Sequence, residues 1–111
     1  MYGVKVNQRD VDWSPLDVPG VSMKVLFKDA PTGAMTVMTR MAAGAVIPAH
    51  FHTRADETVF VLDGDFIEDG ESHGPGAYFV GKAGTPHGPH RTAAGCTVLT
   101  HFSAELDFHP A

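Results

Sequence analysis

Four of the seven histidines in this 111-residue chain fall in two short clusters, and the first cluster has the spacing of a metal site. His50 and His52 are separated by a single residue. Residues two apart on a β-strand point to the same face, so the two imidazoles would project into one space. A His-x-His pair alone is more often two surface or packed histidines, and the pair therefore needs support from its surroundings.

Glu57 provides that support, because it opens ETVFVL, the segment with the strongest strand pattern in the chain. Glu57, Val59 and Val61 share one face of this strand. If the valines point into a core, the carboxylate does too, and a buried carboxylate without a partner is costly. A cation held by the two histidines would be such a partner. The alternative is that Glu57 lies at a strand end and reaches water.

The second histidine cluster is the segment Gly84–His90, with the sequence GTPHGPH. Pro86 and Pro89 restrict the backbone around His87, which suits a ligand that must hold a fixed position. His90 follows three residues later and need not share the face of His87. We expect His90 to be exposed or at a cavity rim rather than to bind metal.

The rest of the sequence predicts short strands that would position these groups. An Asp69-Gly70 pair favours a two-residue hairpin turn with positive φ at both positions. No window keeps a helical apolar stripe, and Cys96 lies in an apolar run typical of a small buried side chain. Many short strands predict a sandwich or barrel. The predicted strands are Val21–Phe27, with Val21, Met23, Val25 and Phe27 on one face, Ala34–Met41, Glu57–Leu62, Asp65–Glu68, Ala77–Val80 and Cys96–Phe102.

Composition limits the classes of function. The length is that of one domain, and the net charge is −5 with eight scattered lysines and arginines, which argues against a nucleic-acid surface. No apolar stretch approaches the roughly 20 residues of a membrane-spanning helix, and the N-terminus lacks the pattern of a signal peptide. We therefore expect a cytoplasmic protein without nucleic-acid or membrane partners.

Two sequence motifs resemble those of the cupin family. The segment from Gly44 to Gly64 fits the first motif, G-x5-H-x-H-x4-E-x6-G, at every specified position. The segment from Gly76 to Arg91 fits the second motif, except that Lys82 replaces a proline and Arg91 replaces an asparagine. Within cupins, residues 57–79 resemble the subfamily of cupin-type anti-sigma factors and acetylacetone-cleaving dioxygenases.

The resemblance implies an all-β fold, a double-stranded β-helix or jelly roll. We expect a single cupin domain over residues 1–111, with lead-in strands in 1–33 and the barrel with both motifs in 34–106. The implied metal ligands are His50, His52, Glu57 and His87. They would bind one divalent transition metal per chain, with Fe(II) favoured and zinc, nickel and manganese left open. Whether Glu57 ligates or only neighbours the metal also stays open.

The resemblance also implies a function. We expect an Fe(II) dioxygenase that cleaves a small chelating diketone- or hydroxyketone-like substrate, with Glu57, His90 and Arg91 as catalytic candidates. His90 or Arg91 at the cavity rim would offset negative charge or donate a hydrogen bond, and the alternative for either residue is plain surface. The alternative is a non-enzymatic module that binds zinc or a small ligand, related to the sensor half of anti-sigma factors. Anti-sigma members carry a sigma-binding region before the cupin, whereas the residues before Gly44 read as barrel strands, and this favours the enzyme.

Edge strands predict the oligomeric state. Small jelly rolls have exposed strand edges that need cover, and cupins commonly pair through them. We expect a homodimer, with Val4–Val6 and Val21–Phe27 as the surface exchanged between the two copies.

Overall fold

The computed structural model describes all residues from 1 to 111, and its regular secondary structure consists almost entirely of β-strands. One short 3-10 helix spans Gln8–Asp10, and the chain has no helix with the length and hydropathy that a membrane crossing requires. The strands are β1 (Ser14–Pro15), β2 (Val21–Lys28), β3 (Met35–Met41), β4 (Val46–Ile47), β5 (His50–Phe51), β6 (Glu57–Gly64), β7 (Phe66–Glu68), β8 (Glu71–His73), β9 (Tyr78–Gly81), β10 (His90–Arg91), β11 (Cys96–Phe102) and β12 (His109–Pro110).

The strands form two main antiparallel sheets and one short strand pair. The six-stranded sheet has the order β1-β2-β3-β11-β6-β9, the four-stranded sheet has the order β4-β10-β7-β8, and β12 pairs with β5. Strands that are neighbours in a sheet are often distant in sequence, as in a jelly roll. The predicted double-stranded β-helix is confirmed, while the division into lead-in and barrel at residues 33 and 106 stays a prediction.

The core lies between the two main sheets. In β6, Val59 and Val61 are buried and Phe60 is exposed, which confirms that alternate residues from Glu57 onward point inward. Cys96 at the start of β11 is buried, as expected of a small apolar side chain. The main core cluster consists of Val21, Met41, Ala45, Val59, Val61, Phe66, Cys96 and Val98.

The alternation predicted for Val21–Phe27 is wrong in the second half of β2. Val25 and Phe27 are 46% and 45% exposed, whereas Lys24 is buried. The register between β2 and β3 shifts between Val25 and Phe27, because an irregularity interrupts the ladder there. The buried ammonium of Lys24 donates to the carbonyl oxygen and the Oε1 of Gln8, both at 2.9 Å, so its charge is not left without partners.

The tight turns lie where the sequence predicts them, with one shift. Asp69 and Gly70 have φ values of 50° and 77° and join β7 to β8, as a two-residue hairpin requires. The break between the predicted strands Glu57–Leu62 and Asp65–Glu68 falls at Asp65, since β6 continues through Gly64 before the chain changes sheets. This change of sheet is what allows one continuous segment to contribute to both walls of the barrel.

Gly64 is the position in the first motif that is least tolerant of a side chain. Gly44 and Gly64 both have positive φ, at 79° and 77°, but a Cβ at Gly44 meets nothing within 4 Å. A Cβ at Gly64 would collide with the carbonyl oxygen of Gly95 and lie 2.7 Å from Cα of Cys96. Comparing alanine at the two positions therefore separates the free-energy cost of the left-handed backbone from the cost of a steric clash.

We predict that Gly64→Ala destabilises the protein more than Gly44→Ala. The left-handed conformation alone costs an alanine about 1–2 kcal/mol. Overpacking against the β11 backbone adds about 1–3 kcal/mol at Gly64. Urea unfolding of both variants measures the difference, and equal losses of unfolding free energy would show that the chain relaxes freely around Gly64.

Candidate metal centre

Three separate segments bring the predicted ligands together at one end of the barrel. His50 lies on β5, His52 follows it, and Glu57 opens β6. His87 lies in the loop before β10 and exchanges two backbone hydrogen bonds with His50, of 3.0 and 2.9 Å. One ligand atom from each of the four residues lies within 4.8 Å of the others. The cluster predicted from spacing is therefore compact in space.

The side chains point their nitrogen and oxygen atoms at a common centre. Nε2 of His87 is 3.0 Å from Nε2 of His50 and 2.9 Å from Oε2 of Glu57. Nε2 of His52 is 3.5 Å from the same carboxylate oxygen. The group is shielded from solvent, with His52 only 2% exposed and the Glu57 side chain 12% exposed. The alternative in which Glu57 reaches water at a strand end does not describe this geometry.

Backbone carbonyls determine which nitrogen of two of the histidines carries the proton. Nδ1 of His50 bonds to the carbonyl oxygen of Pro48 at 2.7 Å, and Nδ1 of His52 bonds to that of Asp107 at 2.6 Å. A carbonyl oxygen only accepts hydrogen bonds, so each Nδ1 must be the donor. In the neutral ring this leaves the lone pair on Nε2, facing the centre. Histidines that bind metals are oriented in this way.

The hydrogen-bonding pattern of the group fits a cation. Nε2 of His52 is buried and has no hydrogen-bond partner. A buried polar atom without a partner is costly, and a lone pair in that position is satisfied by a metal ion. Three imidazole nitrogens and one carboxylate oxygen are donors that suit first-row transition metals better than magnesium or calcium.

The electrostatics of the group follow from its burial and from the carboxylate. Burial raises the pKa of Glu57, but the imidazoles of His52 and His87 beside the carboxylate outweigh it and bring the pKa to about 2. Burial lowers the pKa of His50, which favours the neutral ring. For His52, burial also lowers the pKa, but the nearby Glu57 carboxylate and the hydrogen bond to the carbonyl of Asp107 raise it above its ordinary value. Glu57 is thus an anion that attracts positive charge to the centre.

His90 is closer to the centre than the sequence suggests. It is 8% exposed and lies on a cavity wall, so of the two expected placements the cavity holds and the exposed surface does not. Its ring centroid is 5.3 Å from that of His87, and its Nδ1 is hydrogen-bonded to the carboxylate of Glu68. Glu68 was not singled out in the sequence, because nothing in its local pattern distinguishes it from a solvated hairpin residue.

The two residues that depart from the second motif lie away from the ligand cluster. Arg91 follows His90 on β10, is exposed and lines none of the cavities. The structure therefore does not bring Arg91 together with the other predicted site residues. Lys82 is 73% exposed and pairs with Asp56 at 3.7 Å. Neither departure alters the group of four ligand atoms.

Glu57 lines two cavities of different character. One, of about 410 Å³, has the more polar lining, with His73, His87, His90 and acidic side chains beside Val and Phe residues. The other, of about 550 Å³, also contains His50 and has mainly apolar walls. The apolar side chains of this second cavity include Val18, Val21, Met23, Ile47, Phe102 and Phe108. A larger groove of about 810 Å³ lies at the Gly64 end of β6 and contains no predicted ligand.

Known structures share this fold. KdgF from Halomonas sp. is 29% identical with a TM-score of 0.75, covering 88% of this chain and 92% of that chain. An acetylacetone dioxygenase from Acinetobacter johnsonii is 17% identical with a TM-score of 0.76, covering 97% and 77%. The anti-sigma factor ChrR of Rhodobacter sphaeroides, solved with SigE, is 23% identical with a TM-score of 0.69, covering 86% of this chain and 50% of that chain.

The family is shown by the sequence match. Among curated protein sequences none matches this chain. Residues 2–105, nearly the whole chain, match the family described as the ChrR cupin-like domain. Together with the jelly roll and the group of three histidines and one glutamate, this match establishes that the chain belongs to the ChrR cupin-like domain family.

Proposed function

We propose that His50, His52, Glu57 and His87 bind one divalent first-row transition metal, with Fe(II) as the favoured ion. The observation that carries this proposal is the convergence of their four ligand atoms within 4.8 Å. It is supported by the carbonyl partners of two Nδ1 atoms and by the unpartnered Nε2 of His52. Affinity alone does not choose between iron, manganese, nickel and zinc, so the ion must be measured.

We propose further that the protein is a dioxygenase acting on a small diketone- or hydroxyketone-like substrate. The apolar cavity reaches His50 and Glu57, and its volume of about 550 Å³ suits a small organic ligand. Its walls would exclude water, which strengthens electrostatic attraction inside. Glu57 alone among the four ligands is charged, so a dication held there keeps net positive charge and favours an anionic, chelating enolate.

The chain's own residues would bind and orient this substrate. When bound, Fe(II) supplies Lewis-acid polarisation and redox chemistry with dioxygen. Carbon–carbon cleavage that places both oxygen atoms in the products needs no external reductant. His90 and its partner Glu68 form one wall of the adjoining polar cavity and can hold a proton near the bound oxygens of the substrate.

A second candidate function is a module that binds zinc or a small ligand without catalysis. The family description favours it, because the matched family is named for ChrR, and ChrR was solved as an anti-sigma factor in complex with SigE. This chain corresponds to 50% of that ChrR chain. The identity of the bound metal and the presence or absence of oxygen uptake separate the two functions.

We also propose a homodimer formed through β2. Strand β1 pairs only with Ser22 and Met23, so the outer edge of Lys24–Lys28 has no strand beside it. Val25 and Phe27 on this part of β2 are nearly half exposed. An unpaired edge with exposed apolar side chains is a surface that proteins cover.

Removing His87 should abolish metal binding, whereas removing His90 should not. His87 contributes an atom to the ligand group, and the Nδ1 of His90 is already bonded to Glu68. We predict that His87→Ala lowers affinity by more than about 100-fold, beyond the usual effect of a residue that only orients a ligand. Elemental analysis of reconstituted protein prepared without a nickel column measures this. Equal losses in both variants, or well under half a metal per wild-type chain, would contradict the assignment.

Iron-loaded protein should consume oxygen with a chelating enol. We predict uptake in an oxygen electrode with at least one member of a panel of β-diketones and hydroxyketones. Glu57→Ala should retain iron but change the rate, and alanine at any of the three histidines should abolish both. If no substrate exceeds the metal-free control and the isolated protein carries zinc, the binding module is the correct function.

The protein should be a dimer in solution. We predict a mass twice the 11.8 kDa of one chain by light scattering at micromolar concentration. Phe27→Asp should dissociate it by placing a charge at the β2 edge. Phe60→Asp is the matched control, since Phe60 is similarly exposed at 41% but lies on β6 inside the sheet. A monomeric wild type refutes the proposal.

A further inference from the structure

The last residues of the chain lie across the predicted ligands. We call residues 107–110 the C-terminal strap. Its two final residues form β12, which pairs with β5 so that His109 lies opposite Phe51 and Pro110 lies opposite His50. The family match ends at residue 105, so the strap lies outside the matched region.

The side chain of Asp107 anchors the strap to the residue after His52. Its carboxylate accepts hydrogen bonds from the backbone N–H of Thr53 at 2.8 Å, from the Thr53 hydroxyl and from Nε2 of His109 at 2.9 Å. The bonds from Thr53 and His109 hold the pKa of Asp107 well below its usual range. The carboxylate is thus ionised at neutral pH; it ties the start of the strap to Thr53, and its bond to His109 lies within the strap.

The backbone carbonyl of Asp107 bonds to His52, one of the predicted metal ligands. The carbonyl oxygen of Asp107 accepts a hydrogen bond from Nδ1 of His52 at 2.6 Å. His52 is 2% exposed, so no solvent competes for that proton. If the carbonyl moved away, the neutral ring would be free to place its proton on Nε2 and would lose the lone pair that faces Glu57.

Phe108 completes the contact from the strap. Its ring centroid lies 5.2 Å from that of His50 and 4.9 Å from that of His52. The same ring lines the apolar cavity that reaches Glu57. Since Phe108 is itself 56% exposed, its position is fixed by the strap rather than by burial in the core.

We propose that the C-terminal strap is a positioning element of the metal centre. Asp107 holds His52 in the tautomer that directs Nε2 toward the other ligands, and Phe108 packs on the rings of His50 and His52. This inference rests on the proposed metal site. The competing explanation is that the strap stabilises the barrel and has no effect on how His52 is oriented.

The tautomer of His52 tests the proposal without any metal. Long-range ¹H–¹⁵N correlation spectra of metal-free protein at pH 8 distinguish a protonated Nδ1 from a protonated Nε2. We expect the Nδ1–H form in the wild type and loss of this single form in Asp107→Ala. Asp29→Ala is the matched control, because Asp29 likewise accepts bonds from a threonine hydroxyl and backbone N–H, here of Thr32, in a distant turn. The control should leave the His52 signals unchanged.

Cobalt(II) titration tests the consequence for binding. We expect Asp107→Ala to weaken affinity by about 10–100-fold and to change the visible absorption of the bound cobalt, as loss of an orienting partner does. Thr53→Ala, which removes one anchor and keeps Asp107, should act in the same direction to a smaller extent if Asp107→Ala does not fold. Thermal unfolding of the metal-free variants shows whether a loss of cobalt affinity comes from a less stable fold or from a misplaced His52.

The outcomes distinguish failure of the strap proposal from failure of the proposed metal site. Unchanged His52 signals together with unchanged cobalt affinity and spectrum in Asp107→Ala would overturn the proposal. A wild type that binds no cobalt would overturn the metal site itself, and the tautomer measurement would still decide whether the strap positions His52.

Discussion

The carboxylate of Glu57 is the charge around which the rest of the site is arranged. It opens a core strand, its side chain is 12% exposed, and uncompensated charge in such a position is strongly unfavourable. The imidazoles of His52 and His87 beside it lower the pKa of the carboxyl group and keep it ionised despite its burial. Removing one partner of a buried charge typically costs about 3–5 kcal/mol. The neighbouring segments are therefore constrained to bring imidazoles to this carboxylate.

The barrel satisfies this constraint by combining local periodicity with long-range pairing. The side-chain alternation of β6 turns Glu57 inward with Val59 and Val61. Reciprocal backbone hydrogen bonds between His50 and His87 then fix the distance between two loops that are far apart in sequence. The ligand geometry is thus built on backbone bonds rather than on flexible side chains, which suits a site that must hold one arrangement.

Glu57 also separates two environments. On one side lies a cavity with apolar walls, and on the other lies a polar cavity in which His90 is bonded to Glu68. With the proposed metal ion bound, an anionic organic ligand would favour the apolar side, where its attraction to the cation is weakly screened, over the side that already holds carboxylates. The C-terminal strap contributes Phe108 to the apolar side and the Asp107 carbonyl to His52. The strap therefore connects ligand orientation to the shape of the cavity.

The sequence by itself determined the jelly roll, the four candidate ligand residues and the burial of Glu57. The spacing of His50 and His52 and the period-two pattern after Glu57 are local, so they can be read without knowing the path of the chain. The match of nearly every position in two motifs supplied His87. The same local reasoning failed for the second half of β2, because a register shift depends on the neighbouring strand.

Only the tertiary structure decided which backbone groups hold the histidines. The carbonyls of Pro48 and Asp107 have no side-chain signature, since every residue carries the same acceptor. The burial of His90 against Glu68 and the outward direction of Arg91 likewise depend on how β10 packs between β4 and β7. The sequence specifies the chemistry of the side chains. Long-range chain pairing determines the tautomers of the histidines, the hydrogen-bond partners of the side chains and their exposure to solvent.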